Sequence, residues 1–391
     1  MAFTQEELQR YARHFAVERI GLSGQEKLKA SSVLLIGAGG IGSPAAFYLA
    51  AAGMGHLGIL DDDCVDLSNL QRQILYKTSD LGKSKADTAL SHLTLQNPHI
   101  KISSHPIRLT PLNAHSIFKN YDLVIDGSDN YPTRYLTNDV CAELKIPLIS
   151  ASIFQFSGQI AVFNFKNNLS NTQACYRCLY PAPPPPELIP NCAMAGVLGV
   201  VPGILATMAV SEAFKIILNF PESKSQLILY DTLIPKLDTY LLETNPDCPI
   251  CSHHQKFSEL NRFDQTSFKT CDLNNLNSHN PIPITIEQLS QWLSKNKENK
   301  ENKNFQLLDV RENWERDISY IKPSIHIPLN NFLEFLTAES SQLSALDKNQ
   351  PLVIYCKSGG RSQRAGVSSI QAGFTQVYNL TGGMIAWENQ N

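Results

Sequence analysis

The stretch Ser32-Val33-Leu34-Leu35-Ile36-Gly37-Ala38-Gly39-Gly40-Ile41-Gly42 decides the fold of the first part of this chain. Its opening run of apolar residues, 32–36, is typical of a buried strand. The turn that follows contains four candidate ligand-binding glycines: Gly37, Gly39, Gly40 and Gly42. Pro44 then begins an alanine-rich segment with the composition of a helix. This order predicts a nucleotide site, because glycine lets the backbone approach a phosphate and a helix N-terminus offers free N–H groups.

An acidic residue follows the second strand, at the position where dinucleotide-binding folds hold a ribose. A second apolar strand, 56–60, ends at Asp61, which follows Gly42 by 19 residues. From these features alone, an NAD-dependent oxidoreductase and an ATP-dependent enzyme are comparable interpretations. A glycine turn without a nucleotide is a weaker alternative, since strand, helix and acid all stand in the expected order.

Charged residues beyond this strand favour a triphosphate over a nicotinamide. Asn69, Arg72 and Gln73 follow the strand closely, and Lys85 ends the segment Gly82-Lys83-Ser84-Lys85. Arginine and lysine stabilise the charge of phosphates and of a leaving pyrophosphate, which a nicotinamide site does not require. Any one of these cations alone would be interpreted as a surface charge. Together, after a glycine turn, they predict an ATP site.

A further apolar strand supplies a candidate metal ligand. Residues 121–126 run into Gly127-Ser128-Asp129-Asn130. An acid just beyond the carboxyl end of a strand in an open α/β sheet lies on the ligand side. Asp129 is therefore predicted to hold Mg²⁺ against the phosphates, with Asn130 beside it as a second candidate for cofactor binding.

Four motifs together, GAGGIG, DLSNLQRQ, GKSK and DGSDN, resemble the adenylating enzymes of the MoeB/ThiF type, which are relatives of ubiquitin-activating enzymes. The resemblance covers nearly all of residues 1–251 and implies a Rossmann-like α/β domain. It also implies the activity, which is ATP-dependent adenylation of the C-terminal glycine of a ubiquitin-like sulfur-carrier protein.

The same resemblance implies roles for individual residues. Asp61 would bind the ribose, the phosphates would contact Asn69, Arg72 and Lys85, and the carboxylate of Asp129 would bind magnesium. Arg13 matches an arginine that members of the family donate to the nucleotide of the partner subunit, which implies a homodimer.

Two C-x-x-C pairs predict a metal site in the first domain: Cys175, Cys178, Cys248 and Cys251. Four thiolates are the ligand set of a structural zinc ion with no open coordination position. A redox-active C-x-x-C is the rival interpretation. It is weaker, because there are two pairs and neither lies in a thioredoxin-like context.

Cys192 matches the position of a loop cysteine that, in relatives, attacks the activated acyl group or receives sulfur. Met194 and Ala195 stand where several relatives carry an acidic residue or a glycine. A catalytic thiol and a small buried residue ahead of an apolar helix both remain open for Cys192.

Another reactive cysteine follows the apolar strand 352–355. It begins the loop Cys356-Lys357-Ser358-Gly359-Gly360-Arg361, and a helix-like segment comes next. Backbone N–H groups of such a loop, the arginine and the helix N-terminus stabilise a thiolate or a persulfide. The C-x4-R spacing is shorter than the C-x5-R loop of a tyrosine phosphatase, which favours sulfur over phosphate.

This loop and the segments 307–312 and 379–387 resemble a single small α/β rhodanese domain covering about 281–391. The resemblance implies that Cys356 carries a persulfide and that Arg361 stabilises it. A degenerate domain used only for docking is less favoured, because the cysteine loop is complete.

Composition supports two domains. The chain has 391 residues and is 43% hydrophobic, and the polar stretch 252–280 is predicted to link a domain at 1–251 to one at 281–391. The net charge of -3 does not indicate a nucleic-acid binder.

Several features predict a cytoplasmic enzyme. The opening residues 1–15 are polar and indicate neither a signal peptide nor a membrane anchor. The run 193–211 contains Pro202 and is predicted to be a buried loop and helix rather than a membrane span. Metal-bound and reactive thiols favour a reducing compartment.

The sequence as a whole predicts an adenylyltransferase and sulfurtransferase that uses ATP, Mg²⁺ and Zn²⁺. The first domain activates the carrier's carboxylate, and Cys356 delivers sulfur from a donor such as a cysteine desulfurase or thiosulfate. The product serves molybdopterin, thiamin or a related sulfur-containing compound, and the identity of the carrier remains open. A non-catalytic sulfur-relay scaffold is the alternative, which intact Arg72, Lys85 and Asp129 disfavour.

Overall fold

The computed structural model describes residues 3–165, 174–183, 196–234, 236–252, 280–298, 305–338 and 346–390. The chain divides into two compact units, Met1–Phe268 and Lys269–Asn391. Most of the predicted linker, 253–279, lies outside the described residues, and so does Cys192.

The first unit contains eight strands: β1 (Ser32–Ile36), β2 (His56–Leu60), β3 (Lys101–His105), β4 (Leu123–Asp126), β5 (Leu148–Phe154), β6 (Ser157–Phe163), β7 (Gln226–Asp231) and β8 (Lys236–Leu241). They form one sheet in the order β3-β2-β1-β4-β5-β6-β7-β8. The first five strands of that order are parallel, and β6, β7 and β8 extend the sheet in antiparallel fashion.

The helices described in this unit are α1 (Gln5–Arg10), α2 (Ala12–Phe15), α3 (Gly21–Ala30), α4 (Gly42–Ala51), α5 (Lys85–Gln96), α6 (Pro111–Phe118), α7 (Tyr131–Leu144), α8 (Tyr176–Leu179) and α9 (Val200–Ile217). Short 3-10 turns lie at Leu67–Asn69 and Thr78–Asp80. Helices cover both faces of the parallel strands, because successive apolar side chains of β1 point to opposite faces. Val33 and Leu35 enter the core that contains α4 and α9, whereas Leu34 and Ile36 enter the core that contains α6 and α7.

Among the described residues, α9 is the one helix whose length and composition would allow it to cross a membrane. Val201, Leu205 and Ala209 on α9 are fully buried in the core beneath the sheet. The burial agrees with the core helix predicted for this part of the chain.

The strand order places the predicted nucleotide motifs together. β1 pairs with β2 on one side and with β4 on the other, so the chain changes direction across the sheet at β1. In an open α/β sheet, ligands bind beyond the carboxyl ends of the strands at such a point. The glycine loop, Asp61 and the loop after β4 all begin at this edge.

The second unit has the strands β9 (Ile282–Ile284), β10 (Gln306–Asp309), β11 (Ile325–His326), β12 (Leu352–Tyr355) and β13 (Val377–Leu380). They form a parallel sheet in the order β11-β10-β12-β13-β9. Its helices are α10 (Ile286–Glu298), α11 (Asn313–Ile318), α12 (Leu329–Ala338), α13 (Gly360–Gln371) and α14 (Gly383–Gln390). All four residues of β12 are buried, and Cys356 follows at the carboxyl end of this central strand. Both units are α/β, as the sequence predicts.

Candidate functional site

A cavity of about 1370 Å³ opens at the carboxyl ends of β1, β2 and β4. Most of the predicted nucleotide-binding residues line it together: Gly37, Gly39, Gly40, Asp61, Arg72, Gln73, Lys85, Asp129 and Asn130. A small-molecule pocket typically encloses about 300–1,000 Å³. The cavity therefore has room for a nucleotide and for part of a second substrate.

Four of the predicted residues do not belong to this lining. Gly42 begins α4, and a Cβ there would lie 1.9 Å from the carbonyl oxygen of Gly37, so this glycine allows the turn to close. The Asn69 carbonyl accepts the N–H groups of residues 72 and 73 and so shapes the turn that carries them. Arg13 is exposed on α2, and its action on a partner subunit stays a prediction. Cys192 lies outside the described residues.

Two side chains hold the backbone of Ala38 in the middle of the glycine loop. Asp61 Oδ2 accepts the Ala38 N–H at 2.7 Å, and the Tyr76 hydroxyl donates to the Ala38 carbonyl at 2.9 Å. Gly37 has a φ of 83°, which favours glycine. Burial raises the pKa of Asp61 above its ordinary value, although the Lys85 charge and the Ala38 N–H act in the opposite direction. Asp61 thus shapes the loop and still offers lone pairs to a ligand.

The two predicted phosphate-binding cations are held beside this loop. Lys85 is buried, and its Nζ lies 2.8 Å from Oδ2 of Asp63, whose side chain is largely exposed. Arg72 donates to the carbonyl of Ser68 at 2.9 Å. Phosphate oxygens are strong acceptors for both cations, and they can replace or supplement these contacts.

Asp129 is exposed and lines the cavity. Within the described part of the chain, no hydrogen bond or ion pair occupies its carboxylate. Free carboxylate oxygens beside a predicted phosphate site suit Mg²⁺, which prefers oxygen ligands. Asn130 differs, because its Oδ1 accepts the N–H of Thr133 at 3.0 Å and so caps the start of α7.

Several charged residues of this cavity were not predicted from the sequence, and Asp63, Arg108 and Arg134 are three of them. Arg134 had a detectable signal, since it stands near the start of the helix that follows the Asp129 loop. Arg108 had none, because it lies in a connecting segment without a motif. The pairing of Asp63 with Lys85 depends on how the backbone folds between them.

The two C-x-x-C pairs meet in space, as predicted. The four Sγ atoms lie within 4.8 Å of one another, and all four thiols are free of disulfides. The Sγ–Sγ distances are 3.5 Å from Cys175 to Cys248, 3.1 Å from Cys178 to Cys251 and 3.9 Å from Cys175 to Cys178. Sulfurs bound tetrahedrally to zinc at about 2.3 Å stand roughly 3.8 Å apart, so this donor set fits the ion.

Helix α7 carries the residues that hold the first cysteine pair. Arg177, between the two cysteines, makes two bonds of 2.7 Å to the Asp139 carboxylate. Asn138 Oδ1 accepts the N–H of Tyr176 at 2.7 Å. Burial alone would lower the pKa of Arg177, but the hydrogen bonds to Asp139 and the charge of that carboxylate together raise the pKa above its ordinary value. The turn that carries Cys175 and Cys178 is therefore fixed to α7 by a charged pair.

In the second unit, Cys356 is 1% exposed at the end of β12. Its Sγ accepts the N–H of Gly359 at 3.2 Å and lies 3.4 Å from the Ser362 hydroxyl. Gly359 has a φ of 104° and is the residue from which α13 begins. An N–H donor and a helix N-terminus at the sulfur stabilise negative charge on it.

The segment 379–387 supports this cysteine loop from behind. Asn379 Oδ1 lies 2.6 Å from the Ser362 hydroxyl, which is itself near the sulfur. The N–H of Met384 donates to the Cys356 carbonyl at 2.8 Å. A Cβ on Gly383 would lie 2.5 Å from the same carbonyl oxygen, so only glycine allows this approach. These contacts show that the segment 379–387 supports the backbone of the cysteine loop.

Arg361 pairs with Glu315 of α11 through two bonds, at 2.5 and 2.6 Å. Both side chains are largely buried. The sequence analysis did not identify Glu315, which is 46 residues away along the chain. The pair holds the guanidinium of Arg361 at the end of the cysteine loop, and its stabilisation of a persulfide stays a prediction.

Known proteins match both units. Residues 11–250 match the ThiF family, and residues 290–390 match the rhodanese-like domain. The probable adenylyltransferase/sulfurtransferase MoeZ of Mycobacterium tuberculosis is 38% identical over 390 residues, which cover 100% of this chain and 95% of that protein. The sulfur carrier protein adenylyltransferase of Thermus thermophilus is 44% identical over 261 residues, covering 66% of this chain and 96% of that protein.

A plant relative matches across both units as well. The adenylyltransferase and sulfurtransferase MOCS3-1 of Zea mays is 37% identical over 384 residues, covering 97% of this chain and 81% of that protein. Among solved structures, E. coli MccB with MccA-N7isoASN has a TM-score of 0.53 and 21% identity, and the match covers 63% of this chain and 74% of MccB. At that identity the likeness shows the fold alone.

Proposed function

The chain belongs to the ThiF family, and on this premise we propose that it converts the C-terminal glycine of a ubiquitin-like sulfur-carrier protein into a thiocarboxylate. Adenylation and sulfur transfer are its two activities, carried by the ThiF and rhodanese-like domains. To these two activities we add the carrier protein that accepts the sulfur, the residues that act in each step and the order of the steps.

In the first step, the carrier's terminal carboxylate attacks the α-phosphorus of ATP, and pyrophosphate leaves. The glycine loop holds the phosphates, and Arg72 and Lys85 stabilise the charge that develops on pyrophosphate. Asp61 orients the ribose, and Asp129 holds Mg²⁺, which neutralises phosphate charge when bound. The product is an acyl-adenylate whose leaving group is AMP.

In the second step, the terminal sulfur of a Cys356 persulfide attacks the acyl carbon and displaces AMP. This forms an acyl disulfide between carrier and enzyme. A thiolate, from Cys192 or an external thiol, then attacks the Cys356 sulfur, so the carrier leaves as a thiocarboxylate and the enzyme keeps a disulfide. A thiol reductant restores the cysteine, and a sulfur donor such as thiosulfate or a cysteine desulfurase recharges it.

One observation carries the proposal. The glycine loop, Arg72, Lys85 and Asp129 line a single cavity at the strand ends, although they come from four separate segments. That combination suits a nucleotide triphosphate and its metal, and it is not what a carrier-binding scaffold requires.

The proposal also covers the domain boundaries, the zinc site and the oligomeric state. We propose an adenylating domain at 1–251, a linker at 252–280 and a rhodanese domain at 281–391. Zn²⁺ bound by the four cysteines would tie distant segments of the first domain together without entering the chemistry. A cytoplasmic homodimer, in which Arg13 reaches the partner's nucleotide, completes it.

The test is the intact mass of candidate carriers after incubation with enzyme, ATP, thiosulfate and a thiol. We expect a gain of one sulfur for one oxygen on a carrier that ends in glycine. A carrier lacking its terminal glycine and a reaction without ATP are the controls. ATP that is never consumed with any carrier would refute the proposal.

A further inference from the structure

The backbone of Ser128 is held on both sides by ionisable side chains. Its N–H donates to Asp126 Oδ1 at 2.9 Å, and its carbonyl accepts a hydrogen bond from the Arg134 guanidinium. Asp126 ends β4, and Arg134 lies in the first turns of α7. Asp129 and Asn130 lie between Ser128 and the start of α7 at Tyr131. The carbonyl that Arg134 holds belongs to the peptide group that joins Ser128 to Asp129, so this contact helps to place the Asp129 backbone.

Arg134 lines the cavity, yet its guanidinium is already occupied by the protein. Besides Ser128, it donates to the Ala151 carbonyl at 3.1 Å and to Ser150 Oγ at 3.3 Å, both on β5. The residue is 8% exposed. Both Nη2 hydrogens are used by the two carbonyls and Nη1 contacts Ser150, so three of the five N–H donors of this arginine are already engaged by the protein. The geometry therefore favours a role in holding the loop over a role in binding a ligand.

Asp126 is fully buried and only half satisfied. Its Oδ1 accepts the Ser128 N–H, but its Oδ2 has no hydrogen-bond partner among the described residues. A buried carboxylate oxygen without a partner is unfavourable for folding. Burial also raises the pKa of Asp126, and the nearby charge of Arg134 opposes that rise. A neutral amide would fill the same space and accept the same N–H.

We propose that Asp126 and Arg134 are positioning residues that hold the Ser128 N–H and the Ser128 carbonyl, and so place the backbone of Asp129 where its carboxylate can reach the nucleotide-bound cation. The inference rests on the proposed function, since it takes Asp129 as the magnesium ligand. It adds that Mg²⁺ binding at the nucleotide site depends on Arg134, although Arg134 itself contacts neither the Mg²⁺ nor the phosphates.

The first experiment compares Arg134→Gln and Arg134→Lys with wild type in carrier-dependent pyrophosphate exchange at varied Mg²⁺. We expect the Mg²⁺ concentration for half-maximal exchange to rise about tenfold or more in Arg134→Gln, with most of the rate restored at saturating Mg²⁺. Arg134→Lys keeps a cation that can reach one carbonyl and should lie between the two.

The second measurement separates positioning from phosphate binding. ATP binding to the full chain in EDTA should be the same for wild type and Arg134→Gln, within about threefold. If Arg134 were a phosphate ligand, binding in EDTA would weaken and the Mg²⁺ midpoint would stay unchanged, which overturns the inference. Exchange absent from wild type with every carrier would refute the proposed function instead.

Asp126, the other residue that holds Ser128, offers a matched pair of variants. Asp126→Asn keeps an acceptor for the Ser128 N–H and should return the Mg²⁺ midpoint to within about threefold of wild type. Asp126→Ala removes the acceptor and should shift the midpoint as Arg134→Gln does. Equal Mg²⁺ midpoints for Asp126→Ala, Asp126→Asn and wild type would contradict the inference. Thermal unfolding of each variant identifies any that fail to fold, and Asp126→Asn and Arg134→Lys then decide the outcome.

Discussion

Glu315 and Arg361 form a bidentate ion pair, with distances of 2.5 and 2.6 Å, between α11 and the first turn of α13. Arg361 is the last residue of the cysteine loop, so this pair fixes the loop to a helix from another part of the second unit. Burial alone would raise the pKa of Glu315, but the hydrogen bonds and charge of Arg361 outweigh it and lower the pKa below its ordinary value.

Replacing Glu315 by glutamine should destabilise the second unit by about 2 kcal/mol, because Arg361 loses a charged acceptor in a largely buried place. Urea unfolding of the full chain measures this. The pair between Arg19 and Glu222 is also bidentate but exposed, so Glu222→Gln is a control that should change little. Equal effects of the two variants would contradict the importance of burial.

Stability should also depend on pH through Glu315. A carboxyl whose pKa is lowered in the folded state contributes stability above its unfolded pKa of about 4.3, and this is lost as pH falls through the folded value. The difference in unfolding free energy between wild type and Glu315→Gln should therefore be full at neutral pH and shrink in acid. A difference that grows as the pH falls would give the opposite sign and disprove the assignment.

Cys356→Ala should abolish sulfur transfer and leave carrier-dependent pyrophosphate exchange unchanged. The reason is that the sulfur lies in the rhodanese-like domain, whereas Asp61, Arg72, Lys85 and Asp129 line the cavity of the first unit. Carrier mass and exchange are measured on the same preparation. Loss of exchange together with sulfur transfer would contradict this division of labour.

Substitutions of Lys85 and of Asp63 should have opposite effects on the use of ATP. Lys85→Met removes a cation proposed to contact the phosphates and should lower the exchange rate by about 10²-fold. Asp63→Asn removes the carboxylate that pairs with Lys85 at 2.8 Å and competes with phosphate for it, so ATP should bind as tightly as in wild type or more tightly. A large loss of ATP affinity in Asp63→Asn would show that the pair is needed to place the lysine.

Cys248→Ser should remove bound zinc and destabilise the first unit. Structural zinc contributes about 10 kcal/mol in finger peptides, an upper guide for a site that joins distant segments. Metal content and thermal unfolding measure the effect. Cys64 is exposed and outside the four-cysteine cluster, so Cys64→Ser is the matched control and should keep its zinc. Normal zinc content in Cys248→Ser would refute the site.

Much of the site could be predicted because its motifs are short and local. A glycine turn after a buried strand and a cysteine loop before a helix specify their own backbone geometry within a few residues, so Gly37 and Cys356 were identifiable from their neighbours. The α/β class of both units follows from the same alternation of apolar strands and helices.

Partners distant in sequence could not be predicted. Glu315 stands 46 residues from Arg361, and Arg134 reaches carbonyls on both the loop after β4 and β5. Spacing does not encode such pairs, because strand order and helix packing decide which side chains meet. The sequence by itself determined which chemical groups this protein has and at which strand ends they stand. Only the tertiary structure decided which charges are held by one another, since burial and hydrogen-bond geometry arise when separate segments pack together.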